Sequence, residues 1–360
     1  MRKIIPLWLI VIISTIIVWL PFWSSGKMEK VFANYDGPNY IIISKCWYSK
    51  ECIAENFSLP LPLEYYPAHF PGYPFLISIF NQMFPGWWAA VAANLFSTGL
   101  MVTFVYLLLN LLKIKLAFWL SIVLLFLPAR MLILRAVGAP ETMFIVSLLA
   151  SIYFFKKEKY LPAGVALAIA QTIKTPAILL FAAYGLHTLV HDNFQFKKWS
   201  KKWPLILGPI TVLLIFLFFK HQTGDFLAYF HSGDNFHLVF PPFQTFISSR
   251  SWLGDFWLED IIYIYLIGGL AVASLVKKYK YDIIALFPLI FYITTLFVAH
   301  RDLSRYSAPL YPFWLIAFSD FLKKKEFKLI FFILLPAIYL YAINFINYNV
   351  APIADWTPYR

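Results

Sequence analysis

The sequence predicts an all-α polytopic membrane protein with about eleven transmembrane helices in a single integral membrane domain, residues 1–360. Three observations carry that reading. Only 13% of the 360 residues are charged and 61% are apolar, whereas soluble domains average about 25% charged. Apolar runs long enough to cross a bilayer, or to form a hairpin of short helices, recur along the whole chain. Basic residues gather between alternate runs, the pattern that orients a membrane protein. A net charge of +12 would suggest a nucleic-acid partner in a soluble protein. Here the placement of the charges outweighs their sum, and the expected partner is the lipid bilayer, not nucleic acid.

The runs lie near 4–23, 86–112, 116–134, 140–155, 160–173, 176–190, 203–219, 258–276, 283–299, 306–322 and 328–348. The first follows Met1-Arg2-Lys3, the basic start of a signal peptide, but it is about long enough to span and no small-x-small cleavage site follows it. It is read as a transmembrane helix entering from the cytoplasm. From that start, the inner turnarounds carry lysines at 113 and 115, at 156, 157 and 159, at 197, 198, 201 and 202, at 277, 278 and 280, and at 323, 324, 325 and 328. With Arg2 and Lys3 these make 18 of the 30 basic residues, against the acids Glu158, Asp192, Asp282, Asp320 and Glu326. The outer side keeps 12 basic and 13 acidic residues, close to balance. The runs at 160–173 and 176–190 are short for a tilted crossing, and Pro162 and Pro176 stand at their starts, where a helix tolerates proline.

Chemistry is therefore expected on the outer side: a large loop at 24–85, turns at 135–139, 172–175 and 299–305, a second large loop at 220–257, and the tail at 349–360. In the first loop, Val31 to Trp47 has helical apolar spacing and is predicted as one amphipathic interfacial helix. Phe70 to Phe84 is apolar but too short to span, so a second interfacial or re-entrant helix is expected, with Trp87 and Trp88 marking the interface beyond it. Both cysteines, Cys46 and Cys52, fall in this loop. They either form one bridge facing an oxidising compartment or remain two buried thiols. Asn56-Phe57-Ser58 is a glycosylation sequon, meaningful only in a eukaryotic secretory compartment.

Asp36 lies just past the first span within Tyr35-Asp36-Gly37, and Gly37 would let the backbone approach a ligand closely. A carboxylate there acts as a general base if an acceptor hydroxyl comes within hydrogen-bond reach; alone, Asp-Gly is an ordinary turn. Other outer charges shift the balance, because ionisable groups at membrane depth are costly and are usually paired or functional. Glu141 opens the fourth span, and Lys174 sits between two short helices, where its ammonium suits a phosphate. Arg130 and Arg135 close the third span, and Arg130 either snorkels to headgroups or meets a ligand. His300, Arg301 and Arg305 concentrate cations before a helix start, a setting that matches phosphate oxygens; the plainer alternative pairs Arg301 with Asp302 at the surface. The second loop holds His221, Asp225, Tyr229, His231, Asp234 and His237. No tight ligand spacing occurs among them, so no metal is expected and an aromatic wall for a sugar or lipid is the reading.

In order along the chain, these segments resemble a multi-pass glycosyltransferase of the GT-C fold, and more narrowly the PIG-V-like mannosyltransferases and their bacterial relatives. The matching stretches are Tyr35-Asp36-Gly37-Pro38-Asn39-Tyr40, Ala68-His69-Phe70-Pro71-Gly72-Tyr73-Pro74, Gly138-Ala139-Pro140-Glu141-Thr142, Thr172-Ile173-Lys174-Thr175-Pro176, Gly224-Asp225-Phe226-Leu227-Ala228-Tyr229 and Ser304-Arg305-Tyr306-Ser307-Ala308-Pro309. His69 stands where the pattern has an aromatic, Gly72 where it has leucine, and Lys174 where it has arginine. The resemblance implies inverting transfer of a sugar, mannose or another hexose, from a polyprenyl- or dolichyl-phosphate donor to a glycan, lipid or protein acceptor. The active site would face outward from a plasma membrane, or the lumen of the endoplasmic reticulum in a eukaryote. Asp36 would be the base; Lys174, Arg301, Arg305 and His300 would hold the donor phosphate. Tyr35, Gly37, His69, Tyr73, Glu141, Asp225, Tyr229 and Tyr306 would bind substrate. No cofactor is implied, since a lipid-phosphate donor needs no nucleotide loop. The rival class is a transporter or flippase of a lipid-linked or small anionic substrate. It predicts two related halves with broken helices and mid-membrane charges, whereas the sequence has no internal repeat and its charges gather at one face.

Overall fold

The computed structural model describes residues 3–192, 196–233, 237–247 and 258–359. Among these the chain is helical, with only two isolated β-bridges, Asn34 to Val350 and Leu238 to Val298. In chain order the helices are α1 Ile4–Ser24, α2 Glu29–Phe32, α3 Gly37–Cys46, α4 Lys50–Asn56, α5 Gly72–Phe80, α6 Gly86–Leu111, α7 Ala117–Leu124, α8 Arg130–Leu134, α9 Glu141–Lys156 and α10 Tyr160–Ile173. There follow α11 Ile178–Asp192, α12 Phe196–Ser200, α13 Leu207–Thr223, α14 Leu258–Tyr279, α15 Ile283–Thr295, α16 Leu303–Tyr306, α17 Tyr311–Ala317, α18 Ser319–Leu322 and α19 Lys325–Tyr348. Five helical stretches among the described residues are long and apolar enough to cross a membrane: α1, α6, the stretch ending in α13, α14 and α19. The remaining apolar runs fold as shorter helices or consecutive pieces, so the protein is a multi-pass membrane protein. Run 116–134 divides into α7 and α8 around Pro128, and run 306–322 into a short turn, α17 and α18. Proline removes a donor and clashes with the preceding turn, which accounts for the first break.

The first loop departs from its expected form. The single helix predicted over Val31–Trp47 is two, α2 and α3, with Tyr35 and Asp36 in the turn between them. Nor does α3 lie on the surface: nine of its ten residues are buried, and its hydrophobicity has almost no preferred face. Pro38 in its first turn favours a helix start at that point. The second short helix is α5, and Cys46 and Cys52 are joined in a disulfide. Trp87 and Trp88 pack within the chain, against Phe32 and Trp19. The tail returns across this loop. Ala351 donates its N–H to the Ala33 carbonyl at 2.9 Å, and Tyr359 is buried beside Phe57.

Polar side chains satisfy the irregular backbone between these helices, as burial away from water requires. Arg135 is buried and donates to the Leu125 carbonyl and to Thr15 and Ser14 on α1, at 2.8, 2.7 and 2.9 Å. The turn at 135–140 is tied down by Trp19, whose indole N–H donates to the Ala136 carbonyl at 2.7 Å. Asn94 holds the same turn through the carbonyls of Leu134, at 2.7 Å, and Val137. Such interhelical bonds are worth about 0.6 kcal/mol each on average in a membrane, so the turn is fixed by their number. That rigidity presents Glu141.

Candidate active site

Four charged side chains from four separate segments meet at one end of the bundle. Arg305 is the hub: its Nη2 donates to Asp36 Oδ2 at 2.7 Å and its Nε to Glu141 Oε1 at 2.7 Å. Lys174 donates its Nζ to the same Glu141 oxygen at 2.6 Å. The Glu141 side chain is 3% exposed, Arg305 16%, Asp36 27% and Lys174 28%, so the cluster is shielded but open on the side of Asp36 and Lys174. Its formal charges cancel.

The elements that deliver these groups are short or end at them. Asp36 is the N-cap position of α3 yet its side chain makes no capping bond, leaving both oxygens for tertiary partners. Glu141 is the first residue of α9, where the helix dipole favours a carboxylate. Lys174, in extended conformation, links the last residue of α10 to the 3-10 turn Thr175–Ala177 that leads into α11, so the two helix ends oppose each other at its ammonium. Arg305 sits on α16, a single turn. Two glycines bring the segments together. A Cβ on Gly37 would lie 2.8 Å from the Phe32 carbonyl oxygen and 3.4 Å from that of Gly138, and one on Gly72 would lie 2.8 Å from the Thr172 carbonyl carbon. Gly37, expected to admit a ligand, instead admits the backbone of Gly138, three residues before Glu141. Gly72 likewise admits Thr172, two residues before Lys174.

Burial alone would push the Asp36 carboxyl up, but the Arg305 guanidinium, aided by His69, overrides it and holds Asp36 well below the usual carboxylate range. His69 Nε2 stands 3.7 Å from Asp36 Oδ1, beyond direct hydrogen bonding, so Arg305 is the stronger partner. Burial lowers the Lys174 ammonium below the ordinary lysine value, with Glu141 opposing and Arg305 adding to the effect. His300 is pushed down to about 3 by burial and by neighbouring His237, Arg305 and Arg301. It is therefore a neutral imidazole, and its Nδ1 accepts the Asp302 backbone N–H at 2.9 Å.

A cavity of about 250 Å³ opens against this cluster. Of the residues singled out in the sequence, Asp36, His69, Glu141, Lys174, Tyr229, His237, His300, Arg305 and Tyr306 line it. Others do not. Arg301 is exposed, outside the lining. Asp225 is paired with exposed His231 at 2.6 Å, Tyr73 is buried and donates to the Ala90 carbonyl at 2.8 Å, and Tyr35 lies behind Arg305, its ring 4.4 Å from the guanidinium carbon. Asp302 pairs with Arg130 at 3.1 Å, not with Arg301, and Arg130 is thereby an internal ion-pair partner. Asp234 lies outside the described residues. Among those described, no group of three His, Cys, Asp or Glu side chains is arranged to hold a metal.

No protein-family model and no curated protein matches the chain. A solved structure does: ArnT from Cupriavidus metallidurans, crystallised with undecaprenyl phosphate, superposes with a TM-score of 0.59 at 14% identity, over 88% of this chain. The chain has the GT-C fold. It spans 60% of the length of that ArnT structure. Among the lining residues that the sequence did not single out are two tyrosines, Tyr40 and Tyr65. The signal was present in spacing: Tyr40 is four residues beyond Asp36 on a helix, hence on the same face, and Tyr65 stands four before His69. Burial and the charge of Asp36 push the Tyr65 phenol up to about 12, so it enters the cavity as a neutral hydroxyl.

Proposed function

We propose that the protein is a membrane glycosyltransferase that moves a sugar from a polyprenyl- or dolichyl-phosphate carrier to an acceptor hydroxyl with inversion, Asp36 serving as general base. The observation that carries this reading is the convergence of Asp36, Arg305, Glu141 and Lys174 on one cavity. The GT-C fold and the undecaprenyl phosphate held by the similarly folded ArnT support the carrier class. The resemblance of six short segments to PIG-V-like mannosyltransferases supports mannose or another hexose as the sugar, and the lysine distribution supports an outward-facing site in a plasma membrane, or a lumenal one in a eukaryote.

The chemistry follows from charge. The acceptor oxygen forms a bond to the anomeric carbon as the bond to the phosphate oxygen breaks; the hydroxyl proton goes to Asp36 and the electron pair to the phosphate. One unit of negative charge thus passes from Asp36 to the leaving phosphate. A cation touching Asp36 and lining the same cavity offsets the charge at both ends of that passage, and Arg305 is that cation. Preorganised donors of this kind act where charge develops. Lys174 contributes a second positive charge, while Tyr40, Tyr65, Tyr229 and Tyr306 supply aromatic faces and hydroxyls for sugar rings.

The test is transfer in membranes from undecaprenyl-phosphate-linked mannose, glucose and galactose. Wild type is expected to transfer one of them, and Asp36→Asn to lose about 100- to 10,000-fold, the usual contribution of a positioned base. Unchanged turnover in Asp36→Asn at equal expression removes the base assignment, and inactivity of wild type with every lipid-phosphate sugar removes the function.

A further inference from the structure

Arg305 is carried by four residues, Leu303–Tyr306, and a single helical turn does not hold its own shape. Its side chain nonetheless bridges Asp36 and Glu141, so contacts outside the turn must fix it. Two do. Asp302, the N-cap of α16, accepts the Arg305 backbone N–H on Oδ1 at 3.4 Å, and the Tyr35 ring supports the guanidinium from behind at 4.4 Å. Tyr35 takes that place with φ +50°, a conformation uncommon for a bulky residue and kept only where surrounding contacts impose it. One residue grips both supports. Arg130 donates Nη1 to the Tyr35 hydroxyl at 3.1 Å, and its Nη2 lies 3.1 Å from Asp302 Oδ1. Arg130 and Asp302 side chains are each 14% exposed, the Arg130 guanidinium carbon lies 4.2 Å from the Phe345 ring centre, and Arg130 does not line the cavity.

We propose that Arg130 is a positioning residue for the transfer reaction: its guanidinium fork locks Asp302 and Tyr35, and through them aims Arg305 at the substrate phosphate. This rests on the function proposed above. The geometry calls for a fork, because the two acceptors lie on different elements and each takes a separate guanidinium nitrogen. A lysine ammonium is a point charge without that spread.

A double-mutant cycle tests it, with the full-length protein purified in detergent and undecaprenyl phosphate as the probe. Arg305→Ala is expected to weaken binding. Arg130→Lys is expected to weaken it about 10-fold in the wild-type background, and not at all once Arg305 is alanine, since residues in one network are coupled. A general loosening of the fold would lower affinity in both backgrounds, so additive losses overturn the proposal, as does wild-type affinity in Arg130→Lys. Should Arg130→Lys not fold, Tyr35→Phe and Asp302→Asn replace it in the same cycle with the same expectation. Failure of the underlying function looks different: a wild type that does not bind undecaprenyl phosphate, or an Arg305→Ala protein of unchanged affinity, removes the phosphate seat and the positioning role with it.

Discussion

Glu141→Gln separates two jobs that one carboxylate performs. Its Oε1 accepts from both Lys174 and Arg305 at 2.6 and 2.7 Å, and the side chain is 3% exposed. Truncation to alanine strands two partly buried cations, a loss of about 3–5 kcal/mol for a broken buried pair. Glutamine keeps the shape and an acceptor oxygen, so two ion pairs become bonds from charged donors to a neutral carbonyl, and about 2 kcal/mol is the expected loss. Donor affinity should move the opposite way. The cluster is electrically neutral with Glu141 ionised and carries one net positive charge without it. A unit charge roughly 5 Å from a bound phosphate, at an effective dielectric constant near 20, amounts to about 3 kcal/mol. If looser cations forfeit half of that, undecaprenyl phosphate still binds about 10-fold more tightly to Glu141→Gln. Thermal unfolding in detergent gives the first quantity, and a titration with undecaprenyl phosphate gives the second. Lower stability together with weaker phosphate binding would refute the reasoning, because it would mean that Glu141 holds the cations in place without competing for them.

Two other outcomes follow from the same geometry. Transfer should not decline as pH falls from 8 to 5 on account of Asp36. Its folded-state value is held below that of the unfolded chain, so the stabilisation from its pair with Arg305 is complete above the ordinary carboxylate range and is lost as pH falls from that range through the lowered folded value. His300, neutral down to about pH 3, adds no limb in that window, and a midpoint near pH 6 that persists in the residual activity of Asp36→Asn would place the controlling group elsewhere. Gly72→Ala forces a Cβ against the Thr172 carbonyl carbon at 2.8 Å, where backbone must shift, with an expected cost of about 1–3 kcal/mol in stability. Because Lys174 is two residues away, undecaprenyl phosphate affinity should fall as well, and unchanged affinity would uncouple this contact from the site.

The membrane class and the charged site residues were legible because ionisable groups in an apolar chain are conspicuous, and evolution keeps few of them without a use or a partner. Asp36, Glu141, Lys174 and Arg305 stood out for that reason, and the structure brings them together. Pairing was not legible. Asp36 and Arg305 are 269 positions apart, and the nearest-neighbour rule that suggested Arg301 with Asp302 fails because Arg130, 172 positions from Asp302, takes that carboxylate. Arg301 and Arg305 look alike in sequence; α16 turns one outward and the other inward. The helix predicted over Val31–Trp47 was drawn through Asp36 because apolar spacing persists across the turn, whereas the chain breaks at Tyr35 and its positive φ. Gly37 was a signal read for the wrong partner: close approach was required, but of one backbone to another, and Gly72 marks the same kind of contact.

Helix ends help to keep the two carboxylates of this shielded cluster ionised. Asp36 stands at the positive end of α3 and Glu141 at that of α9, whereas Lys174 lies between the negative end of α10 and the positive end of the segment that follows. A matched helix end contributes about 0.3–1 kcal/mol to a charge at an exposed site and up to about 2 kcal/mol where it is partly buried. The two carboxylates thus receive backbone support that does not depend on their pairing with the cations. Arg305 has no such support, since four residues make almost no dipole. In the proposed transfer Arg305 serves Asp36 before the step and the phosphate after it, and Arg130, Asp302 and Tyr35 bear on it from outside its own turn.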